Sequence, residues 1–203
     1  MPKTAFAAAA LAATAALVPA VPAAAAAAST AASTAASTAA TKPLHLRGGL
    51  TLHLPTSWKV YGKGDHIRVI TGRCVSPKGG WGQPECDSFW VLGPKAIKHG
   101  QELFNPYTAE HPYYPATDVQ LCPHNHKWGQ VLGGASVKGL RQVGPGHKAH
   151  YREWKATCVS YSTGKVKSRY VQREWFLPQT KVLVVDQWDT PGLSGVLKRA
   201  TWR

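Results

Sequence analysis

The residue types best suited to chemistry gather between positions 99 and 126. General acid–base catalysis needs a group titrating near neutrality beside one whose pKa is displaced. His99, Glu102, Glu110, His111, Asp118, His124 and His126 supply both kinds of group. Cys122, His124 and His126 are also of the types that bind zinc, although their Cys-x-His-x-His spacing matches no standard zinc pattern. A small zinc-dependent hydrolase is one reading of this stretch. A second is a loop platform made of Tyr107, His111, Tyr113, Tyr114, His124, His126 and Trp128, whose rings would stack on sugars, bases or peptide side chains. The plainer alternative is that a loop in a small domain uses such rings to pack itself down.

The chain lacks a Gly-x-Ser-x-Gly elbow, a His-Glu-x-x-His helix, a Gly-x-x-x-x-Gly-Lys-Ser/Thr loop and a Gly-x-Gly-x-x-Gly turn. The commoner hydrolase, zincin and nucleotide-binding signatures are therefore missing. No residue is assigned a catalytic or metal-binding role, and no cofactor is expected.

Charge is the sharpest surface signal. The 203 residues carry 24 Lys+Arg against 10 Asp+Glu, a formal net charge of +14. From Lys138 to Arg173 nine basic residues face one acidic residue, Glu153. Alternation along a hairpin places Arg152 and Trp154 on one face of a strand, and Lys167, Arg169 and Arg173 on one face of its partner. With Lys148, Lys155 and Lys165 these residues would form a stripe that attracts a polyanion such as teichoic acid, anionic lipid headgroups or acidic polysaccharide. A solvated sheet face kept soluble by its charge is the competing reading. Nucleic acid is not the expected target of an exported chain. Nine His would raise the charge further in acid, so binding should strengthen as pH falls through about 6.5.

Four cysteines, Cys74, Cys86, Cys122 and Cys158, make an even count that favours two disulfides. Three connectivities are possible. Cys74–Cys86 is favoured because Pro77, Gly79, Gly80, Gly82 and Pro84 between them must form a loop that a bridge would pin, which leaves Cys122–Cys158. Oxidation of Cys122 would remove the thiolate that zinc requires. The pinned loop also offers Trp81 as an exposed anchor for a protein partner, as in an inhibitor.

The elements that must position these groups begin after an unusual leader. Of the first 42 residues 22 are Ala, whereas the remaining 161 hold seven. Lys3, an apolar run and Ala-x-Ala cleavage options read as a secretory signal peptide over 1–28, followed by a Ser/Thr/Ala-rich flexible tether over 29–43. A single globular domain over 44–203 is expected, secreted and extracellular, with no transmembrane segment in the mature chain.

Within it, alternation predicts strands at 50–55, 58–61, 66–70 and 88–92, then at 136–143, 149–160 and 167–177, with a turn at 162–165. The run Val182-Leu183-Val184-Val185 suits a central strand covered on both sides. Helices are predicted at 94–104 and from Thr190, whose cap, Pro191 and apolar Leu193, Val196, Leu197 and Ala200 form one stripe. The long stretch 105–128 is expected to be a structured loop. The fold class that follows is α+β, a disulfide-stabilised antiparallel β-sheet with one or two helices packed on one face.

Leu50-Thr51-Leu52-His53-Leu54-Pro55-Thr56-Ser57-Trp58, an alternating strand that runs into Pro-x-x-Trp, resembles the opening of the PsbP-like fold of small exported proteins. The final strand and helix from Val182 to Trp202 are similar to that fold's close, and the leader and its Ser-Thr-Ala-Ala repeats look like those of actinobacterial exported proteins. The resemblance covers about 30 residues. It implies a non-enzymatic accessory or ligand-binding module and supplies no catalytic residues. Together with the charge, it points to a secreted module that engages an anionic cell-surface or extracellular polymer.

Overall fold

The computed structural model describes residues 40–203. The expected signal peptide and most of the expected tether lie outside the described residues. The tether's last three positions, Thr41 to Pro43, are within strand β1 (Thr41–His45).

Two antiparallel sheets make the fold. The smaller has the order β1–β2–β11, with β2 (Leu50–Pro55) between β1 and β11 (Thr201–Trp202). Thr201 and Trp202 pair with Thr51 and Leu50, so the chain returns across the whole domain to close this sheet. The larger has eight strands in the order β3–β4–β5–β10–β9–β8–β7–β6 and curls into a half-barrel. Its members are β3 (Lys59–Lys63), β4 (His66–Cys74), β5 (Cys86–Leu92), β6 (Leu121–Cys122), β7 (Asn125–Gln142), β8 (Lys148–Ser160), β9 (Val166–Leu177) and β10 (Val182–Asp186). β10 lies between β5 and β9 and all five of its residues are buried, as its unbroken apolar run demands.

Side-chain alternation gives this sheet two cores. On one face Val69, Phe89, Val91, Tyr151, Trp175, Val182 and Val184 meet Leu50, Leu52 and Leu54 of the small sheet. The short helix α2 (Leu193–Lys198) adds Leu193, Val196 and Leu197 to that core. On the opposite face Trp90, Leu92, Leu183 and Val185 are covered by Ala96, Ile97, Tyr107, Ala109 and Tyr113, which come mostly from irregular chain.

The α+β expectation is therefore corrected. Among the described residues the chain is mostly β, 51% strand and 10% helix, and its large sheet is covered by a second sheet on one face and by loops on the other. The physical reasons are local. α1 (Pro94–Ile97) stops early because Gly100 lies against Tyr113, where a Cβ would come within 2.8 Å of the ring. Leu103 and Phe104 then take φ near +59°, which no helix allows. At the C-terminus Gly192, at φ 79°, starts the helix. Thr190 does not cap it; its amide and hydroxyl both donate to Asp186. A six-residue helix has little stability of its own and persists through its buried apolar face.

Both disulfides expected from the sequence are present, Cys74–Cys86 and Cys122–Cys158. The first joins facing residues of β4 and β5, and the second ties β6 to β8 across β7. In the chain-entropy picture the longer bridge stabilises by about 4 kcal/mol and the shorter by about 3. Replacing Cys122 and Cys158 together by Ala is expected to lower unfolding free energy by about 4 kcal/mol in urea titration and to loosen β6 first, seen as early amide exchange at Leu121.

Candidate binding surfaces

The stretch richest in chemical side chains is strapped to the sheet by one carboxylate. Glu174 of β9 is fully buried and its two oxygens accept from the Tyr107 hydroxyl at 2.6 Å, the Tyr113 amide at 2.7 Å and the Gln172 amide nitrogen at 2.7 Å. Gln172 also donates to the Tyr113 carbonyl at 2.9 Å. Burial pushes the Glu174 carboxyl above its ordinary pKa, and these donors pull it back. Burial and the Glu174 charge likewise push the Tyr107 hydroxyl well up, so it stays a donor.

A second buried ion straps the disulfide-pinned loop. Arg68, 4% exposed, donates from Nε to the Ser88 hydroxyl, from Nη1 to the Ser76 carbonyl and from Nη2 to the Gln83 carbonyl at 3.0, 3.2 and 3.2 Å. Its guanidinium lies 5.1 Å from the Trp90 ring centroid, and burial pushes its pKa down to about 10. Trp81 is not an exposed anchor. It packs edge-on to Tyr113 at 4.7 Å and donates from Nε1 to Gln120 at 2.9 Å, so the two loops hold each other.

The platform of rings does not form. Tyr107 and Tyr113 are buried in the core, and the Tyr114 hydroxyl donates to the Asp118 carbonyl at 3.0 Å. Trp128 is half-buried. His124 packs against Trp188 and Tyr170, with centroids 4.3 and 4.8 Å away, while His126 meets Glu85 at 2.7 Å. Cys122 is in its disulfide. The three residues of the zinc reading thus go to three different environments, and among the described residues no group of three or more His, Cys, Asp or Glu is placed to hold a metal.

Glu102, Glu110, His111 and Asp118 do come together. They line a groove of about 810 Å³ between the loop and β7, bounded on the sheet side by Gln130 to Gly134 and Trp154. No Lys or Arg lines it.

The basic stripe is split by the strand register. Arg152 pairs with Glu174 and Trp154 with Gln172, so both face the loops; they are 9% and 3% exposed. Arg152 is held by the Tyr151 carbonyl at 2.9 Å and by Glu110 at 3.4 Å. Arg173 lies on the opposite face, but its guanidinium is bound by Asp186 and by Asp189 at 2.7 Å. Burial works against its charge, yet the Asp186 hydrogen bond and charge win and raise its pKa. Lys148 sits at the far end of β8, beside Gln142. Those four drop out of the stripe.

What remains is an open patch on the face opposite the loops. Lys155 pairs with Val171, and Thr157 with Arg169. Lys167 is skipped between the Cys158–Ser168 and Val159–Val166 pairs, the extra residue of a bulge, and Lys165 lies in the preceding turn. Lys155, Lys165, Lys167 and Arg169 are exposed, and none makes a salt bridge with the described acidic residues. Val131, Val166 and Val171, 46%, 45% and 38% exposed, lie among them, because the small sheet does not extend over this end. Lys127, which follows on the same side of β7 by alternation, was missed by a reading confined to 138–173.

No family model, curated protein or solved structure matches the chain, so nothing supports or opposes the PsbP-like resemblance.

Two outcomes are expected of the buried groups. Tyr107→Phe removes one of the hydrogen bonds to Glu174 and should lower stability by about 1–2 kcal/mol in urea titration, with faster proteolysis at residues 101–118. Burial lowers the pKa of His124 despite the Gln187 backbone contact and the charges of Asp87 and Asp186. Its contribution to stability is therefore fully present above the unfolded histidine pKa, near 6.5, and is lost as pH falls from there through the lower folded pKa. His124→Phe, which keeps the ring contacts, should flatten the decline in urea midpoint between pH 7.5 and 5.5.

Proposed function

We propose that this chain is an exported, non-catalytic module that holds an anionic cell-envelope or extracellular polymer against the open end of its large sheet. The carrying observation is that Lys155, Lys165, Lys167 and Arg169 stand exposed together without acidic partners among the described residues, while Lys138, Arg152 and Arg173 of the same segment are tied up in ion pairs. A flexible polymer needs no deep pocket. Cations spaced along a flat face, with apolar Val131, Val166 and Val171 between them, suit repeated phosphate, sulfate or carboxylate groups on an apolar or sugar backbone.

Export is supported by the Ala-rich leader and by two disulfides, which persist in oxidising compartments. The competing zinc hydrolase loses its thiolate ligand to the Cys122–Cys158 bridge.

Retention on a sulfated-polysaccharide matrix tests the reading. Each cation near an anionic surface contributes about 1 kcal/mol, so the Lys155→Ala, Lys167→Ala, Arg169→Ala triple variant should bind about a hundredfold more weakly. Lys148→Ala, on the other side of the sheet, should elute with the parent. Unchanged retention of the triple variant would overturn the assignment.

A further inference from the structure

The large sheet has two edges, and they differ. β3 follows the usual protections of an edge strand: it is five residues long and has Lys59 and Lys63 at its ends. β7 does not. β6 pairs with it at Asn125 and Gly129, and the Gln130 amide donates one more bond, to the Gln120 carbonyl. From Val131 to Gln142 β8 occupies one side of β7, and among the described residues no strand occupies the other.

That edge contains no proline, and its cations are turned aside. Lys138 leans to Glu110 at 3.7 Å, and Arg141 lies over the Tyr151 ring at 4.7 Å. Leu140 is 53% exposed, and a Cβ added at Gly134 would meet nothing within 4 Å. The register irregularities on either side of Ala135 interrupt the ladder, but pairing with β8 is regular from Val137 onward. Such an edge offers every second backbone amide and carbonyl to an added strand.

The same edge is one wall of the acidic groove. Glu102 and Asp118 stand on the facing loop without a salt bridge to a described residue, Glu110 beside them is shared by Lys138 and Arg152, and Gln130 in the wall is 3% exposed with its Nε2 unpartnered. On a chain of net charge +14 this is a local concentration of carboxylates. We propose that β7 accepts an extended peptide as an additional strand along Val131–Leu140, with the peptide's basic side chains lying in the groove against Glu102 and Asp118. Backbone bonds would supply the affinity, and the carboxylates the preference for Lys or Arg at alternate positions. A second copy of the chain is the poorer occupant, because two bodies of high positive charge repel. The groove lies on the loop side of the sheet; the edge shares Val131 with the polymer-binding patch, but none of Lys155, Lys165, Lys167 and Arg169 lies on β7, so the two sites are separable by substitution.

The test uses the intact protein with synthetic ten-residue probes in fluorescence anisotropy: one alternating Arg and Val, one alternating Glu and Val, and two Arg/Val probes N-methylated on alternate amides in either register. Binding of the Arg/Val probe alone is expected. One methylated register should lose binding at least tenfold and the other should keep it, the signature of strand addition. Glu102→Gln with Asp118→Asn should weaken the basic probe about five- to tenfold. Equal binding of the Glu/Val probe, or indifference to both methylation registers, would overturn the proposal. So would a concentration-dependent dimer that the Arg/Val probe fails to compete.

Discussion

A sheet face covered by irregular chain carries a constraint that a face covered by another sheet escapes. The covering loops bring backbone N–H and C=O groups into the interior without a ladder to satisfy them. Here two buried ions of opposite sign meet that demand, Arg68 for the carbonyls of the disulfide-pinned loop and Glu174 for the amide and hydroxyl donors of the acidic loop. Each ion alone would be expensive to bury; each is instead ringed by the groups that need it. The left-handed backbone at Ala109 persists because Tyr107 and Tyr113 are anchored on either side of it.

Fixing that loop also fixes what the surface can do. Because Tyr107 and Tyr113 point inward to Glu174, the neighbouring Glu110, His111 and Asp118 are left outward, and the groove beside β7 gains its acidic wall. On the other side of the same strands, the small sheet ends before Lys155 and Arg169, and their face stays open. The molecule thus separates positive and negative surfaces across one sheet thickness, the positive one placed by strand alternation and the negative one by the loop that covers the opposite face.

Alternation and cysteine spacing made much of the β architecture legible. The residues of β2, β4, β5, β8, β9 and β10 announce themselves by their apolar periodicity, and the Gly/Pro content between Cys74 and Cys86 pointed to the correct bridge. The helices were overread because Gly100 and Gly192 serve packing and a left-handed turn, respectively, which a propensity reading cannot distinguish from weak helix positions. The basic stripe was misassembled for a different reason. Alternation within one strand fixes which residues share a side, but whether Arg152 and Arg169 share it depends on the register of the hairpin and on the bulge at Lys167. Arg68 and Glu174 had no sequence signal at all: a lone charge in a strand reads as a solvent-facing residue until the loops that cover it are placed. The groove, too, exists only once residues 101–119 and 130–134 are brought together.

The pairing of β11 with β2 joins residues 201 and 202 to 51 and 50. Contacts so distant in sequence carry the largest loop-closure cost and form late. Until that contact closes, β2 pairs with β1 alone among the described strands, and its edge at Leu50 and Thr51 stays open even while Leu50, Leu52 and Leu54 pack on the large sheet. Two residues thus act as a latch, since without them the smaller sheet is a two-stranded ribbon, the form of β-structure least able to persist by itself.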